Sequence, residues 1–156
     1  MRENHSDWVT RTELVFPQDA NALGTMFGGR IMQMMDVNSA IAAFRFSRSA
    51  AVTASSEPID FRTPIRVGDV IEVRSRVAWA GTSSMIIRNE VYSEDPLSGK
   101  RQLCTTGHMN FVAVDADGRP VPVPALLVRD GGERAHLAAA GRVREDILRR
   151  REQERG

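Results

Sequence analysis

Cysteine occurs once in this 156-residue chain, as Cys104. That leaves no partner for an internal disulfide and no metal site built from cysteine alone. Lysine is just as scarce: of the 21 basic residues only Lys100 is not arginine. A P-loop or Schiff-base lysine would have to be Lys100, which sits in a Ser98-Gly99-Lys100 turn. Long apolar runs are missing too, and none reaches the roughly 18 residues of a membrane span. Met1 to Trp8 is polar and lacks the apolar stretch of a signal peptide. A cytoplasmic protein with no membrane partner is the expectation. The net charge is +1, which gives no bulk pull toward nucleic acid. There is no G-x-S-x-G elbow and no H-E-x-x-H. The segment Gly24 to Gly29 lacks the Gly-Lys-Ser/Thr ending of a Walker loop and the G-x-G-x-x-G spacing of a dinucleotide fold. Of the three histidines, His5 and His136 fall in segments that read as flexible or exposed, and His108 reads as a structural residue on a strand. A histidine-dependent triad is not expected.

What is present fits a domain with a real core. Residues 1–128 read as that domain and 129–156 as a charged helical tail. Trp8 to Phe16 reads as a strand ended by Pro17, and Gln18 to Thr25 as a loop with Asp19, Asn21 and Gly24 as turn formers. Phe27 to Ser47 reads as one helix, apolar around most of its circumference and so expected to be buried. After it the period changes to two. Ala51 to Phe61 reads as a strand. Val70 to Trp79 alternates, with Ile71, Val73, Val77 and Trp79 on one face. Ser84 to Tyr92 and Arg101 to Val114 are further strands. Val121 to Pro124 is too rich in proline for a central strand. Glu133 to Glu154 reads as a helix with a thin stripe of Leu137, Ala140, Val143, Ile147 and Leu148, its charged residues forming a solvated face. One long helix followed by strands on short turns argues α+β with an antiparallel sheet. Curling the sheet around the helix buries it, and pairing of two copies through an edge strand covers what one sheet leaves open.

The chemistry concentrates on Asp36, about two turns into the helix. An unpaired carboxylate among apolar side chains must be paired, solvated or neutralised. Hydrogen bonding to Ser39 or Asn38, or simply facing out, is one reading, and a general base or nucleophile in a dry cleft is the other. Gly28 and Gly29 stand where the helix begins. Its unpaired N–H groups and positive dipole end suit an oxyanion, while a tight turn and close packing would account for the same glycines. The dominance of arginine reads either as genome composition or as provision for phosphate.

The run Asp19-Ala20-Asn21-Ala22-Leu23-Gly24-Thr25-Met26-Phe27-Gly28-Gly29-Arg30-Ile31-Met32-Gln33-Met34-Met35-Asp36 resembles the signature of bacterial broad-specificity acyl-CoA thioesterases related to brain acyl-CoA hydrolase. Asp60-Phe61-Arg62-Thr63-Pro64-Ile65-Arg66-Val67-Gly68-Asp69, Gly81-Thr82-Ser83-Ser84 and Phe111 to Pro120 agree with it in order, so the resemblance spans Leu14 to Pro124. It implies a hotdog fold, a long helix wrapped by a curved antiparallel sheet, working as a homodimer or a trimer of dimers. It also implies Asp36 as base or nucleophile, Asn21 reaching in from the opposite subunit, and an N–H of Gly28 or Gly29 on the oxyanion. Thr82, Ser83 and Ser84 would line the pantetheine channel, and Arg62, Arg66 or Arg88 would meet CoA phosphates. No metal and no separate cofactor is called for, since CoA arrives with the acyl-CoA substrate. The implied reaction yields a carboxylic acid and CoA. The main rival is a hotdog protein that senses acyl-CoA without cleaving it. A hydratase on the same fold ranks last, because the helix start offers no histidine.

Overall fold

The computed structural model describes residues 2–155. Its centre is α1, Gly28–Ser47. The helix ends at Arg48, whose left-handed φ of 54° turns the chain while its N–H closes on the Phe44 carbonyl at 2.8 Å. Ile31, Met34, Met35, Asn38, Ala42 and Phe46 recur at three- and four-residue spacing and face inward. The expectation of a helix buried all round is corrected on one side: Met32, Val37 and Phe44 are exposed.

The sheet that curls around α1 is antiparallel, in the order β2-β4-β5-β6-β3. Its strands are β2 (Val9–Leu14), β3 (Ala50–Ser56), β4 (Val70–Ala80), β5 (Ser84–Glu94) and β6 (Arg101–Val114). Side chains alternate across it. Ile71, Val73, Met85, Ile87, Val91, Met109 and Phe111 share a core with α1. Close approach is possible because β6 carries Gly107 at the crossing: a Cβ there would stand 2.6 Å from Met35 Cε and 3.2 Å from Ile59. A buried polar layer fixes how α1 is rotated. Asn38 Nδ2 donates to the Val9 carbonyl and to Ser75 Oγ, each at 2.8 Å, and Ser39 exchanges hydrogen bonds with Asn89. This is the hotdog arrangement.

Two strands depart from their expected form. β3 stops at Ser56 instead of Phe61, because the register shifts between Thr53 and Ser55 and Pro58 has no N–H to continue the ladder. In β4 the register shifts between Val77 and Trp79. Trp79 therefore leaves the face of Ile71, Val73 and Val77 and packs with Ala78 and Ile86 under the second helix.

That helix is α2, Gly131–Arg155, which lies on the outer face of the sheet. Ala140 and Ile147 of the expected stripe are buried there, Leu137 and Val143 are half-buried, and Leu148 is exposed. The chain reaches it through a pairing that the sequence pattern does not signal. β1 (Glu3–Asn4) pairs in parallel with β7 (Ala125–Leu126), each only two residues long and too short to carry a period. His136 is not in a flexible segment: it contacts Arg76 through Nδ1 and meets Trp8 edge-on, ring centres 5.9 Å apart. Burial, then Arg88 and Arg76, lower its pKa.

Candidate active site

Asp36 is half-buried and points across to the edge strand, where its Oδ1 accepts a hydrogen bond from Thr53 Oγ1 at 2.7 Å. Neither local partner weighed from the sequence serves it, because Asn38 and Ser39 are spent on the interior layer. Thr53 carries no sequence signal of its own. Only the register of β3 against the helix brings it to Asp36.

Asn21 belongs to a tight turn. Its Oδ1 accepts the N–H groups of Leu23 and Thr25 at 2.9 and 3.2 Å, and its Nδ2 donates to Thr25 Oγ1 at 2.8 Å. Gly24, with φ 79°, closes the turn as only glycine readily does. Backbone bonds tie this turn to the start of α1 and to the 57–65 segment: Phe27 N–H donates to the Asp19 carbonyl at 2.9 Å and Met26 N–H to the Ile65 carbonyl at 2.7 Å. Gly28 opens α1 with the ring of Phe61 3.3 Å from where a Cβ would be, whereas Gly29 faces open space. The Arg30 and Ile31 N–H groups close on the Phe27 carbonyl at 3.1 and 3.2 Å, which leaves those of Gly28 and Gly29 without a helical carbonyl to bond.

Beside them is a cleft of about 220 Å³ lined by Thr25, Met26, Gly28, Ile31, Phe61 and Ile65. A second, of about 430 Å³, adjoins it along Thr63, Cys104 and Thr105 and is edged by Asp60 and Arg62. Arg66 is exposed in the neighbouring turn, where its N–H donates to Asp69 Oδ2 and its backbone bridges to Thr25.

Asp36 is not at this cleft. Gly28 and Asp36 lie eight positions apart on one helix, which at 1.5 Å per residue is about 12 Å along the axis. The sheet repeats the separation. Thr53 stands opposite Phe111 on β6, near the Gly81–Ser84 turn, whereas the cleft meets β6 at Cys104 and Thr105. The Ser83 and Thr82 carbonyls of that turn accept the N–H groups of Ala113 and Val123, and Ser84 is buried. So the chain holds two regions: Asp36 and Thr53 toward the end of the sheet where the Thr82–Ser84 turn lies, and Asn21, Gly28, Gly29, Arg62 and Arg66 at the other.

Arg88 belongs to neither. It sits on the outer face of β5, and its Nε donates to Glu90 at 2.9 Å, so its guanidinium is engaged within its own strand. Burial alone would raise the Glu90 pKa, but hydrogen bonds from Arg88 and Tyr92 outweigh it and hold the carboxyl low. On the same face, burial and then Arg88 push His108 down to about 4. Its Nε2 and both polar atoms of Asn110 have no hydrogen-bond partner among the described residues. The unfolded chain, with histidine at its ordinary 6.5, takes up a proton between pH 6.5 and 4 that the fold refuses. Stability is therefore lost as pH falls through that window, by up to about 3 kcal/mol from this residue. Urea unfolding at pH 7 and pH 4.5 should show His108→Gln losing less stability on acidification than the wild type.

The family model described as the thioesterase superfamily matches residues 23–100. The chain is 40% identical over 144 residues to a Bacillus subtilis protein, the uncharacterized acyl-CoA thioester hydrolase YkhA, covering 92% of this chain and 84% of that one. Its fold superposes with a TM-score of 0.87 and 35% identity on the acyl-CoA hydrolase of Staphylococcus aureus, solved with butyryl coenzyme A, coenzyme A and coenzyme A disulfide, covering 95% and 91% of the two chains. A hexameric acyl-CoA thioesterase solved in its apo form gives a TM-score of 0.92 at 34% identity, over 96% and 97%. A helix start with free N–H groups and a threonine-held carboxylate on the same helix thus stand in a frame shared with these enzymes. The chain belongs to the thioesterase superfamily and is a hotdog-fold acyl-CoA thioester hydrolase.

Proposed function

We propose that hydrolysis takes place between two subunits, with Asp36 and Thr53 from one chain and Asn21 and the Gly28–Gly29 helix start from its partner. The observation that carries this is the separation within one chain. A thioester carbonyl must lie about 3 Å from its oxyanion donor and within reach of the attacking group. Sites about 12 Å apart on one helix axis cannot meet that together. A two-fold axis reverses the partner's direction and lays its helix start beside this chain's Asp36. β3 is an open edge of the sheet, and Met32, Val37 and Phe44 are exposed on α1, so a second copy has both a strand and an apolar face to join. The assembly is then a dimer, or a trimer of dimers, which would be a hexamer like the apo relative.

Spacing gives independent support. The Staphylococcus aureus enzyme was also solved as alanine variants of an asparagine, an aspartate and a threonine, 15 and 17 positions apart in succession. Asn21, Asp36 and Thr53 have the same spacings, 15 and 17.

In the proposed site the carbonyl oxygen faces the N–H of Gly28 or Gly29, where the helix dipole favours developing negative charge. Asp36, held by Thr53, either takes a proton from the attacking water or attacks the carbonyl itself, and Asn21 positions water or carbonyl. CoA leaves as its thiolate, a fair leaving group, so no triad is needed. The apolar cleft suits the acyl chain, the Thr82–Ser84 turn the pantetheine arm, and Arg62 and Arg66 the phosphates. Thiol release from CoA esters of short, medium, long and aromatic acids tests the reading. Turnover of at least one class is expected. Saturable binding of CoA esters with no thiol released from any would replace hydrolysis with acyl-CoA sensing.

A further inference from the structure

We propose that Arg150, on the C-terminal helix, is a positioning residue for the active-site segment 57–65. That segment leaves the sheet after Ser56 and has no regular structure, yet it carries Phe61, seated on Gly28, and Arg62, Thr63, Pro64 and Ile65 around the clefts. Its far end is held by the Met26 N–H on the Ile65 carbonyl and its middle by Thr105 Oγ1 on the Asp60 carbonyl at 2.7 Å. Its near end is held by Glu57. The Glu57 N–H donates to the His108 carbonyl at 3.1 Å, and its carboxylate, 9% exposed, receives two bonds from Arg150: Nη1 to Oε2 at 2.8 Å and Nη2 to Oε1 at 2.7 Å.

Paired bonds from a planar guanidinium fix direction as well as distance. Removing them leaves a buried carboxylate unpaired, and such a group moves toward water. Glu57 cannot move outward without taking Pro58 and Ile59 with it, and Ile59 packs against the point where Met35 crosses Gly107. Phe61 is four residues from Glu57, so a shift at the clamp is felt at the helix start. Arg149, the neighbouring arginine, pairs with Asp146 on its own helix and leaves the segment alone. The charged tail thereby acquires a role: through Arg150 it sets where Phe61 and Arg62 stand.

This rests on the hydrolytic reading of the site, and the test separates the two. Arg150→Gln, Arg150→Lys and, as a control, Arg149→Gln are compared with the wild-type oligomer in steady-state kinetics over a series of acyl-chain lengths. Thermal unfolding and backbone hydrogen exchange complete the comparison. For Arg150→Gln, kcat/KM should fall about tenfold, mainly through KM, with a changed ratio of short- to long-chain rates. The amides of Glu57 and Met26, whose bonds to the His108 and Ile65 carbonyls hold the two ends of the segment, should exchange about tenfold faster. Arg150→Lys should recover part of both, and Arg149→Gln should match the wild type. Wild-type KM, chain-length ratio and exchange in Arg150→Gln would overturn the proposal. So would a loss of activity that tracks only a lower melting temperature. If the wild type cleaves no acyl-CoA, the hydrolytic reading fails, and hydrogen exchange alone then decides the clamp.

Discussion

Asp36→Ala should lower kcat by about 10²- to 10⁴-fold, the range a positioned base contributes, while the oligomer and its melting temperature stay near those of the wild type. The carboxylate is half-buried and, among the described residues, its one hydrogen-bond partner is Thr53, so removing it leaves no interior charge stranded. The interior layer that fixes α1, Asn38 with Ser75 and Ser39 with Asn89, does not involve it. Thr53→Ala should cost less. A hydroxyl bond to a charged acceptor is worth about 1.5–3 kcal/mol, or roughly ten- to a hundredfold in rate if the bond holds the reactive rotamer. Thr53→Ser should restore most of that loss, and Thr53→Val, which keeps the shape without the donor, should not. Purified variants assayed for thiol release, with sedimentation as the check on assembly, read both effects. Wild-type turnover in Asp36→Ala would remove the residue from the mechanism.

The contrast between Asp36 and Thr53 marks how far the sequence could be read. Asp36 stands out because a carboxylate in an apolar helix is costly, and cost is visible in one dimension. Thr53 is one threonine among others, and its place is set by strand register, a property of pairing and not of the strand itself. The same distinction runs through the fold. α1 and β6 were legible to within a residue because each is a long run that no proline interrupts. The end of β3 and the turning of Trp79 were not, because a register shift moves side chains between faces without altering composition. Arginine chemistry alone put Arg88 among the phosphate candidates, and its pairing with Glu90 on the outer face of β5 was not part of that reading. The Arg150–Glu57 pair spans 93 positions and joins two segments that each look like ordinary charged surface. Only packing brings them together.

Mixing two inactive variants should restore activity. Asn21→Ala alone should fall by about 10²- to 10³-fold if its amide holds water or carbonyl in the reacting geometry. Asp36→Ala is crippled on its own account. In a hybrid dimer of the two, one site joins the intact Asp36 of the first chain to the intact Asn21 of the second, and the other site lacks both. Random pairing at equal amounts gives each site an intact Asp36 with probability one half and an intact Asn21 across the interface with probability one half. About one quarter of wild-type activity should therefore return in the unfractionated mixture, for a dimer and for a trimer of dimers alike. Co-expression with two affinity tags supplies the mixture, and isolating the doubly tagged species from a dimer should raise the figure to about one half. If Asn21 acted within its own chain, every subunit of the hybrid would lack one of the two residues and activity would stay at the level of the parents. The local bonds of Asn21 to Leu23 and Thr25 do not confuse the outcome. A turn damaged by the substitution stays damaged in the hybrid, so recovery reports the residue supplied by the other chain.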